Sequence, residues 1–410
     1  MAIPERWAQL NQALEHAQNS DFYRGRLPPA PFRSMEDLKR IPLTTKEDVR
    51  RESPTGLLCV PIRDVAQYCE SSATSGAPIS AWFSGRDLAE IRERLALSWG
   101  VGFNGDDRVL VRFPYEYSTI GHLVQGAAQH SGACVIAAGA SATEMARVID
   151  SMRRLKVTVL CVISLGTLMI AETAEVMGFV PGRDFPHLRA ICCAGEPMSP
   201  SRRRVIESAW GVPVYDNYGM TETATQAVDC PQRRLHPWLD LFHIEVLDDT
   251  LKNDVAPGEV GNVVVTSLTK RAMPMVRYLT GDRARLVDEP CGCGRSATLE
   301  VRGRKENTLW IRGKPFDAWE LEAIVERLPS RRFWKVAPIP EGLRFTVEMD
   351  RPSDRIAPEL LAGLEWDWGI RIEVELVPRG VLYDRTEPIS FGLGGKPTYV
   401  WSGLPGPGHR

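Results

Sequence analysis

At 410 residues the chain is too long for one compact core, and the length suggests about two to three domains. Hydrophobic residues make up 43% and charged residues 25%, and 50 Lys+Arg against 52 Asp+Glu leave a formal charge of -2. No basic excess is present to release counterions, so no nucleic-acid partner is expected.

The start, Met1-Ala2-Ile3-Pro4-Glu5-Arg6-Trp7, lacks the basic-then-apolar order of a signal peptide. The first hundred residues read mostly as helices with Pro-rich connections. Within Ile41-Pro42-Leu43-Thr44-Thr45-Lys46-Glu47-Asp48-Val49-Arg50, Thr before an acidic turn marks a helix start. From residue 107, apolar runs at 108–113, 133–138, 157–163, 188–193 and 212–215 alternate with segments of helical length. That rhythm predicts βαβ units and a mainly parallel sheet, with ligands at the carboxyl ends of the strands. The stretch 117–143 carries no Asp, Glu, Lys or Arg, but His122, Gln125, Gln129 and His130 interrupt it. The more apolar run 157–171 is too short to span a bilayer. No membrane partner and a cytoplasmic location are expected. Strands at 242–247, 261–267, 276–278 and 284–287 mark a β-rich unit. Beyond Arg304 the order is helix 318–328, strand 343–349, helix 357–364 and strand 370–377, a compact α+β unit.

An odd count of nine cysteines argues against a disulfide framework. Cys59, Cys69, Cys134, Cys161, Cys192 and Cys193 have mostly apolar neighbours and are expected as small core residues. Cys230, His236, Cys291 and Cys293 form a Cys3His set that suits tetrahedral Zn2+ and would clip the β-rich unit together. His243 could compete with His236. A redox pair or unliganded thiols are the alternatives.

The first chemical signal is Glu70-Ser71-Ser72-Ala73-Thr74-Ser75-Gly76-Ala77-Pro78, dense in hydroxyls and backbone N–H groups that can wrap phosphate oxygens. It also suits a plain surface turn, and it is not a Walker A loop, since no Gly-Lys-Ser/Thr follows. Further along stand Tyr215-Asp216-Asn217-Tyr218-Gly219-Met220-Thr221-Glu222-Thr223 and Tyr278-Leu279-Thr280-Gly281-Asp282-Arg283. Together, in this order, the three segments resemble the core motifs of adenylate-forming enzymes. Residues 41–50, Thr55-Gly56-Leu57-Leu58-Cys59-Val60-Pro61, Ala194-Gly195-Glu196-Pro197 and Val265-Thr266-Ser267-Leu268-Thr269-Lys270 resemble the phenylacetate–CoA ligase branch in particular.

The resemblance implies an α/β fold: a large N-terminal adenylation domain, residues 1–303, with parallel sheets and a β-rich subdomain at 228–300. A small mobile α+β lid, residues 304–410, would follow. It implies an ATP-dependent ligase in which a carboxylate attacks the α-phosphate and a nucleophile then displaces AMP. Ser71, Ser72, Thr74, Ser75 and Gly76 would grip the β- and γ-phosphates, although Ala73 and Ala77 depart from a usual Gly and Lys. Gly195, Glu196 and Pro197, with Asp216, Asn217 and Gly219, would line the adenine pocket, and Tyr218 would stack on the base. Thr221 would bond the α-phosphate, Glu222 would hold Mg2+, and Asp282 would accept the ribose hydroxyls. Arg304 would reach ribose or phosphate within a hinge stretch, 303–313, where Glu306 and Asn307 stand at commonly acidic places. Lys396, in Gly394-Gly395-Lys396-Pro397-Thr398-Tyr399-Val400, would be the adenylation lysine, an ammonium bridging carboxylate and α-phosphate. Some members of the branch carry a Cys3His zinc set like this one, which here stands in Leu235-His236-Pro237-Trp238 and Pro290-Cys291-Gly292-Cys293-Gly294 surroundings.

The acid would bind near Tyr115, Tyr117, His122 and Gly219, a polar-aromatic setting compatible with an aryl acid. Coenzyme A is the acceptor the branch implies. An amine, a carrier-protein thiol, or a catalytically weakened homologue are the alternatives, and a homodimer is a family-level expectation.

Overall fold

A computed structural model describes residues 3–29, 31–71, 77–140, 145–383 and 399–400. Five strands predicted from apolar runs form one parallel sheet, in the order Cys134–Ala137, Arg108–Val111, Val159–Cys161, Ala190–Ala194 and Val214–Met220. Alternate residues face opposite layers. Val109, Val111, Cys161 and Cys192 enter one core cluster, while Leu110, Leu160, Ile191 and Cys193 enter the other. Burial on both faces is why these strands read as continuous apolar runs rather than alternating ones.

Two antiparallel strands, Ala224–Asp229 and Leu235–Pro237, extend the sheet to seven. The first turns back so tightly that a Cβ on Gly219 would lie 2.3 Å from Ala224 O. Cys134 departs from the expected core placement: it is exposed at the open edge of the sheet.

The β-rich unit is a four-stranded antiparallel sheet, Phe242–Leu247, Gly261–Ser267, Tyr278–Asp288 and Ala297–Arg304. The two short strands expected at 276–278 and 284–287 are one strand, with a register shift between Arg283 and Ala284. Arg277, at a left-handed φ of 43°, precedes it, and its guanidinium binds both oxygens of buried Glu245 at 3.0 and 2.8 Å.

Among N-terminal elements, Thr45 caps helix Lys46–Glu52 in a reciprocal box with Asp48. The hairpin Val65–Glu70 and Ser80–Ser84, which the sequence did not suggest, leads into helix Gly85–Ser98. The C-terminal unit packs helices Ala318–Glu326 and Pro358–Trp368 on strands Trp334–Ile339, Gly342–Glu348 and Arg371–Val377, around its own apolar cluster. Among the described residues, no helix is long and apolar enough to cross a membrane.

Candidate active site

The hydroxyl-rich loop joins the two strands of the hairpin. Its base is set by Ser71, whose N–H donates to Ile79 O at 2.9 Å and whose Oγ accepts from Ile79 N at 3.0 Å. Ser72, Thr74, Ser75 and Gly76 lie outside the described residues, as does Lys396.

The carboxyl ends of the parallel strands meet the C-terminal unit in one cleft. Gly195, Glu196, Pro197, Asp216, Asn217, Tyr218, Gly219, Asp282 and Arg304 all line it. Tyr218 donates its hydroxyl to Asp282 Oδ2 at 2.7 Å, and Arg304 Nε lies 3.1 Å from Asp282 Oδ1. Burial and the Asp282 carboxylate hold the Tyr218 phenol well above its ordinary value. Asp282 thus sits at the centre of a ring, a cation and the cleft wall. Glu196 accepts from Ser164 Oγ and Leu165 N at 2.8 and 2.9 Å, at the start of helix Ser164–Val176. Two side-chain atoms of the lining residues, Asp216 Oδ1 and Asn217 Nδ2, are fully buried and lack partners among the described residues. Burial, with Asp229 beside it, pushes the Asp216 carboxyl up to about 8; protonated or not, it keeps an acceptor oxygen.

Thr221 and Glu222 follow in the turn after strand Val214–Met220. Glu222 is buried, and its Oε1 accepts the Tyr278 hydroxyl at 2.9 Å, while no described residue engages Oε2. A carboxylate with one oxygen engaged and one spare fits a hard cation that also takes phosphate oxygens. Neither residue lines the cleft; they follow Gly219 in the chain.

The residues expected around the acid divide. Tyr115 and His122 form an edge-to-face pair at 5.0 Å, and His122 Nε2 lies 3.1 Å from Tyr115 O. The buried Tyr115 hydroxyl has no partner among the described residues, and burial raises its phenol to about 12. Tyr117 is instead 54% exposed at a left-handed φ of 50°, and its carbonyl receives Glu70 N beside the hydroxyl-rich loop.

Cys230, His236, Cys291 and Cys293 converge, their ligand atoms all within 4.8 Å of one another. Cys230 Sγ and Cys291 Sγ are 3.7 Å apart, and Cys293 Sγ is 3.3 Å from His236 Nε2. Two sulfurs bound about 2.3 Å from a tetrahedral Zn2+ lie about 3.8 Å apart, so the spacing fits. His236 Nδ1 donates to Ala297 O at 2.6 Å, which leaves Nε2 free to ligate. His243 stands elsewhere, 2.9 Å from Arg6 Nη2.

Sequence reasoning missed four contributors. Trp334, Glu322 and Tyr399 bring the C-terminal unit into the cleft wall, with the Tyr399 hydroxyl donating to Glu196 Oε1 at 2.8 Å. Lys270, buried beneath the Glu222 turn, is the fourth, and burial pushes its ammonium down to about 8 against the pull of Asp87 and Glu222. Lys270 and Tyr399 lie in segments that resemble the family, though the resemblance gives neither a role; Trp334 and Glu322 carry no local pattern.

A sequence profile of the family described as "AMP-binding enzyme" matches residues 33–269. Phenylacetate-coenzyme A ligase of Thermus thermophilus is 31% identical over 321 residues, covering 75% of this chain and 71% of its own. Its counterpart from Pseudomonas putida is 30% identical over 318 residues, covering 74% and 71%. The fold superposes with a TM-score of 0.86 on the crystal structure of 2-hydroxyisobutyryl-CoA ligase in the postadenylation state in complex with R3-HIB-AMP, at 22% identity over 97% of this chain and 89% of that one. On the same ligase with 2-HIB-AMP and CoA in the thioesterification state, the TM-score is 0.70 at 23% identity, with the same coverage.

Proposed function

The chain belongs to the AMP-binding enzyme family, in its phenylacetate–CoA ligase-like branch of AMP-forming acid–thiol ligases, and from that premise we propose that it activates an aryl or arylacetic acid for transfer to coenzyme A. The observation that carries the reading is the single cleft in which Tyr218, Asp282, Arg304 and the Gly195–Glu196–Pro197 segment meet.

Adenine lies against the Tyr218 ring, in the part of the cleft lined by Gly195, Glu196, Pro197, Asp216 and Asn217. Asp282 takes the ribose hydroxyls, oriented by Tyr218 and Arg304. Thr221 bonds the α-phosphate. Glu222 is the residue that would hold Mg2+, which when bound screens the phosphate charge. A substrate carboxylate oxygen attacks the α-phosphorus, the bond to the β-phosphate oxygen breaks, and pyrophosphate leaves. Lys396 bridges the attacking oxygen and the α-phosphate; it stands three residues before Tyr399, whose ring lines the cleft. Positioning and charge neutralisation carry the step. The coenzyme A thiol then attacks the acyl carbon and AMP departs.

Tyr115, His122 and Gly219 form the acid pocket, and the edge-to-face aromatic pair favours an aryl ring. Tyr117, exposed as it is, stands at the pocket mouth. The small domain, 304–410, turns against 1–303 about residues 303–307 between the half-reactions. The pose here supports the adenylation arrangement, because the likeness is greater to the postadenylation than to the thioesterification structure. A structural Zn2+ held by Cys230, His236, Cys291 and Cys293 pins strand Leu235–Pro237 to the β-rich sheet. A cytoplasmic homodimer completes the reading; light scattering tests the second part.

ATP–pyrophosphate exchange across a panel of acids tests the first half-reaction, and mass spectrometry of products formed with coenzyme A or with amines tests the second. Exchange with aryl acids and a thioester product are expected. An amide product would reassign the acceptor. No exchange with any acid would make the chain a homologue that has lost catalysis.

A further inference from the structure

Lys270 belongs to a segment that resembles the family yet receives no role from the resemblance. Its ammonium lies at a junction. Nζ donates to Glu222 O at 2.6 Å and stands 3.8 Å from the centre of the Phe83 ring. Phe83 sits on Ser80–Ser84, the strand that leaves the phosphate loop, and the ring is fully buried. Lys270 is only 7% exposed, and no carboxylate oxygen of a described residue lies within 4.0 Å of it. Nearby Asp87 is engaged elsewhere, accepting from Arg271 N at 2.6 Å, Ala272 N at 3.0 Å and Ser84 N at 2.9 Å.

Taking an ammonium out of water is costly, and one carbonyl and one ring face repay only part of that cost. A methionine has nearly the same length and would fill the space without the penalty. Stability alone therefore does not account for a cation here. What the cation does is join two separate pieces of the proposed phosphate-binding machinery: the turn carrying Thr221 and Glu222, and the hairpin of strands Val65–Glu70 and Ser80–Ser84.

We propose that Lys270 is a positioning residue for acyl-adenylate formation, fixing the Thr221–Glu222 turn against the phosphate-loop hairpin so that both meet one triphosphate in register. It touches no substrate. It acts through the carbonyl of Glu222, whose side chain Tyr278 holds from the other side. The idea rests on the adenylation reading above.

The test is Lys270→Met, with Lys270→Gln as a second variant that keeps a hydrogen-bond donor and decides the matter if the first does not fold. The readouts are kcat and KM in ATP–pyrophosphate exchange, the AMP dissociation constant by calorimetry without metal, and the melting temperature. The expected result is a kcat lowered about 10- to 100-fold, with KM for the acid and the AMP dissociation constant within twofold of the wild type. The melting temperature should be equal to or above that of the wild type. Wild-type kcat in a folded variant would overturn the proposal, as would a lower melting temperature with unchanged kcat per folded molecule. If the wild type itself performs no exchange, the functional reading fails rather than this inference.

Discussion

Removing the Glu322 carboxylate should release the small domain from the pose seen here. Helix Pro200–Trp210 presents Arg202, whose Nε donates to Glu322 Oε1 at 2.8 Å, and Ser199 Oγ donates to Glu322 Oε2. The two charged side chains are 3% and 7% exposed, and the guanidinium lies 4.9 Å from the Tyr399 ring centre. In Glu322→Ala the docked pose would trap an unpaired guanidinium, whereas an undocked domain would leave it hydrated. Breaking a buried pair from one side costs about 3–5 kcal/mol. Even about 3 kcal/mol shifts the docking equilibrium on the order of 100-fold. If the docked pose is the adenylating one, as proposed, pyrophosphate exchange should fall at least about tenfold, and limited proteolysis around residues 303–313 should accelerate. Arg202→Met/Glu322→Leu, which removes both charges while keeping bulk, should recover much of the loss. Wild-type exchange and an unchanged proteolysis pattern in Glu322→Ala would refute the reasoning.

Tyr218→Phe deletes the hydroxyl that orients Asp282 and should raise KM for ATP about fivefold, the worth of roughly 1 kcal/mol, whereas Asp282→Asn should raise it more; equal, negligible changes in steady-state kinetics would remove the ribose role. Cys291→Ser should lose stoichiometric zinc by elemental analysis and lower the melting temperature, with a smaller effect on exchange per folded molecule; wild-type protein prepared without metal and equally stable would dismiss the zinc. His243 provides a pH signature. Burial, with Arg6 adding to it, pushes its imidazole down to about 4, while the unfolded chain titrates near 6.5. Between those values only the unfolded chain gains the proton, so stability present above pH 6.5 drains away as pH falls towards 4, by up to about 3 kcal/mol. His243→Gln should flatten that part of the denaturation profile; an unchanged slope would contradict the assignment.

The parallel sheet was legible because burial on both faces forces unbroken runs such as Val109-Leu110-Val111. The hairpin Val65–Glu70 was not, because only Cys69 of its six residues is buried. Strand Ala297–Arg304 hides behind Glu300 and Arg302, and strand Trp334–Ile339 carries Pro338, tolerated at the edge of its sheet. The cleft was legible where a few residues close in sequence supply the chemistry, as in Tyr218-Gly219. Glu322 and Trp334 reach it only through the packing of a unit about a hundred residues away from Tyr218. That packing leaves no local pattern. Nor does the burial of Lys270: in sequence it looks like any lysine before Arg271.

The seam between the two units has a consequence for handling in water. Around Arg202 and Glu322 it is stitched with Arg204–Glu326, Arg332–Glu175 and Arg379–Glu172. The seam is not charge alone, since Phe333 of the C-terminal unit is 2% exposed within the apolar cluster of Leu168, Met169 and Ile206, so on the proposed hinge each excursion of the lid bares that ring along with the charges. The outer pairs are also weakened by dissolved salt. Ionic strength then becomes a throttle, loosening the hinge step while leaving the apolar interiors on either side intact.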